Sequence, residues 1–356
     1  MKKLKRGKKK KLRRLSTSTD NAVNEVLTAE PAPPVTRKPR MTQLLSTGST
    51  LLDLAISGKV TKRGGVPGGI VVEVYGPSGA GKTAILTSLA ASGQAKGGGA
   101  RFLDPEARLD QEYSKIYGLS LKRKDYYRPD YVSEMFDHIY TWEPKVKKKN
   151  AISVIAADSL AALTTQMEMA SGDAYGMRRA KEFSEGLRKT ARIIANNKWL
   201  VACSNQEREG PMGISTPGGK GIPYYASLRM RIAKQFPKSK IYKEKKIGNQ
   251  KVKRVEGIIS KVSITKSSID EPHREAVVYI VFGYGIDDIR GNLQYIKDMT
   301  GSNKYDCISK NYVRMDQAIS WIEEHEHEEE LRQITIELWN DVQKKFRTTR
   351  KPKSLL

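Results

Sequence analysis

The sequence predicts an α/β fold, a mostly parallel sheet with helices on both faces that is extended by antiparallel strands. Three observations predict it. Apolar, β-rich runs alternate with stretches of helical spacing from Met41 to Asn205, the grammar of βαβ units. A glycine-rich segment, GPSGAGKT, joins one of these runs to a helical stretch. Beyond Ala226 the runs alternate on a period near two, as strands with one covered face do.

Residues 1–40 read as a disordered basic tail. MKKLKRGKKKKLRRL is followed by STSTDN, a short helical stretch AVNEVL, and AEPAPPVTRKPR. Such Pro-rich, charged composition cannot bury enough apolar surface to order itself. The elements then follow in order. GSTLLDLAIS has the form of a capped helix. GIVVEVY, 69–75, is a buried strand, and AILTSLAASGQAK after GPSGAGKT is a helix. RFLD is a strand; helices are expected around Gln111–Tyr117 and over SEMFDHIYTW. AISVIAAD, 151–158, is a second buried strand, MRRAKEFSEGLRKTARIIANN, 177–197, a long basic amphipathic helix, and WLVACSN a further strand. SLRMRIAKQ, GIISKVSITKSS and EAVVYIVFGYG are expected to extend the sheet as antiparallel strands. From Ile286 onward the chain reads as mainly helical. The division is therefore a tail (1–40), a core (41–285) and a small C-terminal helical or α+β lobe with a basic end (286–356).

Composition narrows the function classes. The 356 residues carry a net charge of +25, of which the first 40, with 13 Lys/Arg against 3 Asp/Glu, supply +10. A basic tail on a basic body points to polyanionic partners, chiefly nucleic acid. Cys203 and Cys307 lie far apart without metal-type spacing, so neither a disulfide framework nor a zinc site is expected. No apolar run approaches the length of a membrane span, and the N-terminus lacks the apolar stretch of a signal peptide. A cytoplasmic setting is expected.

GPSGAGKT, residues 76–83, matches G-x-x-x-x-G-K-[ST] in full, between a strand and a helix as the motif requires. Gly76, Pro77, Ser78, Gly79, Ala80 and Gly81, with Ala84 just beyond, would let backbone amides surround a phosphate chain. Lys82 would reach the β- and γ-phosphates, and Thr83 would hold Mg²⁺ through its hydroxyl. Asp158, at the end of the apolar run 151–157, supplies the second metal-side carboxylate. ATP and Mg²⁺ are thus the expected ligands. Hydrolysis also needs a group that orients or deprotonates water. Asp104, Glu106 and Asp110 follow a strand in RFLDPEARLD; Glu106 is preferred, although spacing alone does not separate it from Asp104.

Seven segments in order resemble the RecA family of recombinases, in a divergent form such as phages carry. They are LSTGSTLLDLAISG, VEVYGPSGAGKT, FLDPEARLDQEYSKIYGLSL, VIAADSLAALT, GDAYGMRRAKEFSEGLRK, SNQ and GGKGIPYYASLRMRI. They cover about Met41 to Ile286, roughly two-thirds of the chain. The resemblance implies a RecA-like P-loop NTPase core. It assigns catalysis to Glu106 with Lys82, and places Asp110 and Tyr113 beside the nucleotide base. Gln206 matches the glutamine that reads the γ-phosphate. Lys266 falls on one of two lysines that reach the ATP of the next subunit; the second position is Ser268 here. Two DNA-binding loops have counterparts. The first, 167–177, brings Gly172, Tyr175 and Gly176, with Arg178, Arg179 and Lys181 following. The second, between Glu207 and Gly221, brings Arg208, Met212, Ile214, Gly218, Gly219 and Lys220. It lacks an aromatic, and Glu207 and Glu209 offset Arg208 and Lys220. Tyr224 and Tyr225, just past it, are expected at the sheet or a subunit interface.

The expected function is an ATP-dependent homologous recombinase. It would form helical filaments on single-stranded DNA, pair it with double-stranded DNA, and hold nucleotide between subunits. A single-strand-binding protein or a mediator would be a natural partner, and the setting a bacterial or phage-infected cell. Two alternatives share the motifs: a RecA-core helicase or helicase loader, and an ATP-binding recombination mediator that does not itself exchange strands.

Overall fold

The computed structural model describes residues 43–166, 176–210 and 213–350. The tail 1–40, including AVNEVL, and the loop residues Gly172, Tyr175 and Met212 lie outside them. The main elements are α1 (Thr50–Ser57), β1 (Ile70–Gly76), α2 (Lys82–Ala95), β2 (Ala100–Leu103), α3 (Gln111–Ile116), β3 (Tyr126–Tyr127), α4 (Val132–Tyr140), β4 (Val154–Ala157), α5 (Gly176–Asn197) and β5 (Leu200–Gln206). There follow α6 (Gly221–Tyr225), β6 (Leu228–Lys234), β7 (Lys240–Ile247), β8 (Gln250–Ser267), β9 (Glu275–Val281), β10 (Gly285–Ile286), α7 (Asp288–Thr300), α8 (Met315–Glu324) and α9 (Glu328–Lys345).

One ten-stranded sheet organises the chain, in the order β10-β9-β8-β6-β1-β5-β4-β2-β3, with β7 paired to β8. From β6 to β3 all neighbours are parallel; from β6 outward through β8, β9 and β10 they are antiparallel. The expected sheet is present, with one correction. SLRMRIAKQ is not wholly part of the antiparallel extension: β6 runs parallel to β1, Leu228 opposite Val72 and Met230 opposite Val74. Its alternation reports one covered face and one half-exposed face, which is independent of strand direction.

Side-chain alternation along β1 divides the core into two layers. Val72 and Val74 pack with Leu52, Ile85, Leu86 and Leu89 of α1 and α2. Val71 belongs to the opposite layer, with Phe136 of α4, Phe183 and Leu187 of α5, and Val201. Each such aliphatic side chain contributes about 1.5–3 kcal/mol by leaving water. The helix expected over GSTLLDLAIS begins at Ser49, whose side chain accepts from the Leu52 N–H, satisfying one of the amides a helix start leaves unpaired.

Beyond β10, α7, α8 and α9 enclose a third apolar cluster around Leu293, Ile322 and Leu331. A short hairpin, Tyr305–Cys307 with Lys310–Tyr312, belongs to this segment. Trp339 of α9 packs on Leu54 of α1. Asp288 accepts from the Thr50 N–H and hydroxyl at 2.6 and 2.7 Å, and Arg332 joins them. Among the described residues, no helix is long and apolar enough to cross a membrane.

Candidate active site

GPSGAGKT forms the turn from β1 into α2. Gly81 precedes the helix at φ +101°, and a Cβ there would lie 2.2 Å from Ile280 Cδ1; both facts demand glycine. The carbonyls of Gly76 and Pro77 accept from Lys82 Nζ at 2.9 Å each. Burial pulls the Lys82 ammonium below the ordinary lysine range, while Asp158, Glu106 and Glu207 favour its charge. Thr83 Oγ1 donates to one oxygen of Asp158 and the Ser204 hydroxyl to the other. Burial pushes the Asp158 carboxyl upward, opposed by these two hydrogen bonds. Hydroxyl and carboxylate in direct contact form a pair of hard oxygen donors that fits Mg²⁺.

A cavity of about 390 Å³ opens over this turn. Ser78, Gly79, Gly81, Lys82, Thr83 and Ala84 line one side; Gly76, Pro77 and Ala80 lie behind them as loop backbone, off the cavity wall. Glu106 faces the cavity, accepting from Ser159 Oγ and paired with Arg108, both at 2.7 Å. Asp104 also reaches the wall, but its carboxylate accepts from the Leu109 N–H and the Tyr126 hydroxyl, each at 2.7 Å. Both bonds fall on one Asp104 oxygen and shape the loop that carries Glu106; Asp104 is 2% exposed, whereas the Glu106 side chain is 16% exposed toward the cavity. Tyr113 packs against Tyr117 at a tilt of 52°, centroids 5.2 Å apart and hydroxyls 3.1 Å apart, forming an aromatic wall. Burial raises both phenols above the ordinary tyrosine range. Asp110 lies just before α3 and does not line the cavity.

Sequence reasoning missed the opposite wall. Ile258, Ile280, Phe282, Gly283 and Gly285, from the antiparallel strands, close the cavity there; the glycine-flanked aromatics of VFGYG are the signal that could have found them. Lys234, ending β6, was also missed: its Nζ would lie 3.7 Å from a Cβ on Gly79, which brings a second ammonium to the phosphate-binding turn.

Gln206 ends β5 directly opposite Gly76 and lines the same cavity. The stretch after it begins as a small ribbon, Arg208–Gly210 paired with Gly213–Ser215. Arg208, Ile214 and Lys220 are exposed. Glu207 does not offset the loop cations, because both its oxygens accept from Arg231, at 2.9 and 3.2 Å. Gly218 and Gly219 turn against α5, where a Cβ on Gly219 would lie 2.5 Å from Ala180 Cβ. The exit of the second loop and the start of α5 therefore meet. On α5, Gly176 is the first residue; Arg178 and Lys181 are exposed, whereas Arg179 turns inward to the Leu163 carbonyl at 3.2 Å.

A buried relay, absent from the sequence reading, underlies this region. Glu73, fully buried on β1, accepts from Asn205 Nδ2 at 3.0 Å and from Arg229 Nε at 2.5 Å. Asn205 Nδ2 also donates to the Pro217 carbonyl at 2.9 Å. Lys266 is not part of the cavity. Its ammonium donates to the carbonyls of Pro223 and Tyr224, each at 2.8 Å, and burial with the nearby Arg229 lowers its pKa.

The RecA N-terminal domain family model matches residues 35–287. Protein RecA of Thermus thermophilus is 32% identical over 254 residues, 69% of this chain and 69% of that protein. Protein RecA of a Nitratiruptor species is 34% identical over 250 residues, 68% of this chain and 67% of that protein. Protein RecA of Streptococcus pneumoniae is 30% identical over 271 residues, 74% of this chain and 66% of that protein. Phosphate-binding turn, sheet order and matched span agree: this chain belongs to the RecA family.

Proposed function

We infer that the chain is an ATP-dependent homologous recombinase that assembles on single-stranded DNA and promotes pairing and strand exchange with a duplex. The observation that carries this reading is the position of Gln206. It lines the cavity with Lys82 and Glu106 and is also the root of the second loop. Nucleotide state can therefore act on a segment that would grip DNA, an order–disorder switch of the kind other NTPases use.

In this reading the amides of 76–84 hold the phosphates, and Lys82 exchanges the carbonyls of Gly76 and Pro77 for phosphate oxygens. Thr83 and Asp158 would hold Mg²⁺, which supplies charge neutralisation on the β- and γ-phosphates. Glu106, oriented by Ser159, accepts the proton of the attacking water. Tyr113 and Tyr117 flank the base, with Asp110 at the rim. Lys266 serves the nucleotide of the next subunit in a helical filament, having given up its Pro223 and Tyr224 carbonyls. Arg178, Lys181, Arg208 and Lys220 engage DNA phosphates, and the glycines 218–219 let the loop fold around the strand. Residues 41–285 form the ATPase core, 286–356 a C-terminal lobe and 1–40 a basic arm, in the cytoplasm of a bacterial or phage-infected cell. A single-strand-binding protein or mediator would hand over the DNA.

Joint-molecule formation between circular single-stranded DNA and homologous linear duplex tests the reading. The wild-type chain forms joint molecules with ATP and Lys82→Ala does not. A second reading, a mediator that does not exchange strands, draws on Ser268, which stands at the second trans-lysine position. DNA-stimulated ATP hydrolysis without joint molecules would select it.

A further inference from the structure

Past Gly257, β7 and β8 leave the sheet. Residues 242–247 and 250–255 pair only with each other, as a two-stranded ribbon closed by Gly248 and Asn249. Nearly every residue in it is exposed. Segment 240–256 holds seven Lys/Arg against two Glu. Its register sets Lys243 directly opposite Arg254 and Lys246 opposite Lys251. Like charges placed so destabilise a strand pair, and an isolated hairpin is already marginal. Lysine on an edge strand does guard against aggregation, but alternating signs would do that without the repulsion. Lys243 reaches Glu256 at 2.7 Å and Lys251 reaches Glu244 at 3.5 Å, yet two glutamates against seven cations leave a surplus of five positive charges on an exposed ribbon, which a polyanion would offset. The ribbon also bears an exposed Tyr242 beneath Lys253, Nζ 4.4 Å from the ring centroid.

We propose that the ribbon 240–256 is a binding arm for duplex DNA, separate from the two loops. Shape favours a duplex over a single strand. Six to eight paired residues span roughly 20–26 Å at about 3.3 Å each, and a two-stranded ribbon fits the major groove of B-DNA, about 12 Å wide. Cations along both strands then face the phosphates on either side of the groove. No residue of 240–256 lines the cavity over the phosphate-binding turn, so the arm's grip on a duplex is testable without ATP turnover.

The test is equilibrium binding of the full chain to a fluorescent 30-base-pair duplex and to a single strand of equal length, over a salt titration without nucleotide. The variant is Lys245→Gln/Lys246→Gln/Lys251→Gln/Lys253→Gln. Each phosphate the arm no longer neutralises lowers the log–log salt slope on a duplex by about 0.9, about eightfold in affinity at 0.1 M salt. If the arm neutralises at least two phosphates, duplex affinity falls about 60-fold or more and the slope shrinks by about 2, while single-strand affinity changes less than about threefold. Unchanged duplex affinity and slope overturn the proposal; so does an equal loss on both DNAs, which would make the arm a general single-strand grip. The variant should unfold at the same or a higher temperature, since cross-strand repulsion is relieved, and it should keep any DNA-stimulated ATPase. Hydrolysis absent from wild type and variant alike would count against the recombinase reading and leave the duplex comparison standing.

Discussion

Replacing Glu73 by glutamine should destabilise the core beneath the second loop. The carboxylate is fully buried and takes Arg229 Nε at 2.5 Å and Asn205 Nδ2 at 3.0 Å. Glutamine can still accept from Asn205, so the perturbation falls on Arg229. That side chain is only 17% exposed and lies over the Tyr75 ring, 4.6 Å from its centroid. Removing one partner of a buried ion pair costs about 3–5 kcal/mol, because the other charge stays desolvated. The ring contact and the residual exposure place Arg229 at the lower end, about 3 kcal/mol. At about 2 °C per kcal/mol for a unit of this size, Tm should drop by about 6 °C. Thermal unfolding followed by circular dichroism reads this in a double-mutant cycle with Arg229→Gln. The double variant should recover more than about 1 kcal/mol relative to the sum of the singles. A Tm loss under about 2 °C with additive singles would refute the buried-charge reasoning.

Other outcomes follow from the same geometry. Glu106→Gln should bind a fluorescent ATP analogue within about threefold of wild type while hydrolysis falls by about 10²–10⁴, the range for loss of a general base; a Tyr126→Phe change, which removes a bond to Asp104 rather than a group at the water, should be far milder. Gly81→Ala should lower analogue affinity at least about tenfold. Its Cβ meets Ile280 at 2.2 Å and its φ of +101° is strained for alanine, so shortening Ile280 to Ala should restore only part of the loss. Asp53 supplies a pH test: burial pushes its carboxyl from 3.8 to about 6 against hydrogen bonds from Ser46 and Thr47. The native state thus holds a proton that the unfolded chain has released, and stability should fall by about 3 kcal/mol as pH rises from about 4 to 6, then level. Asp53→Asn should remove that component of the pH dependence, measured by urea unfolding at pH 4, 5, 6 and 7.

What the sequence made legible was local. GPSGAGKT is contiguous, and so are the strand before it and the helix after it, so turn, cavity floor and βαβ order could be read from spacing. Ser49 at the start of α1 announced itself as a cap in the same way. What spacing did not carry was partnership between distant residues. Glu73, Asn205 and Arg229 look like an alternating strand residue, a polar strand end and a surface cation; only the β6-β1-β5 order makes them one relay. The direction of β6 was hidden because alternation reports burial of a face and not polarity of a strand. The same blindness hid the difference in setting between Asp104, buried and tied to Tyr126 and the Leu109 amide, and Glu106, which is held by Ser159 and Arg108. Glu207, which in the sequence is one more charge within the loop, faces Arg231 on the next strand but one.

The most direct measurement is the steady-state ATP hydrolysis rate of the purified chain with Mg²⁺, with and without saturating single-stranded DNA. Coupling through Gln206 predicts a rate that rises at least about tenfold with DNA, that Lys82→Ala abolishes, and that Gln206→Ala leaves at the DNA-free level with nucleotide still bound. A rate indifferent to single-stranded DNA in the wild-type chain would contradict the link between cavity and loop on which the recombinase reading stands.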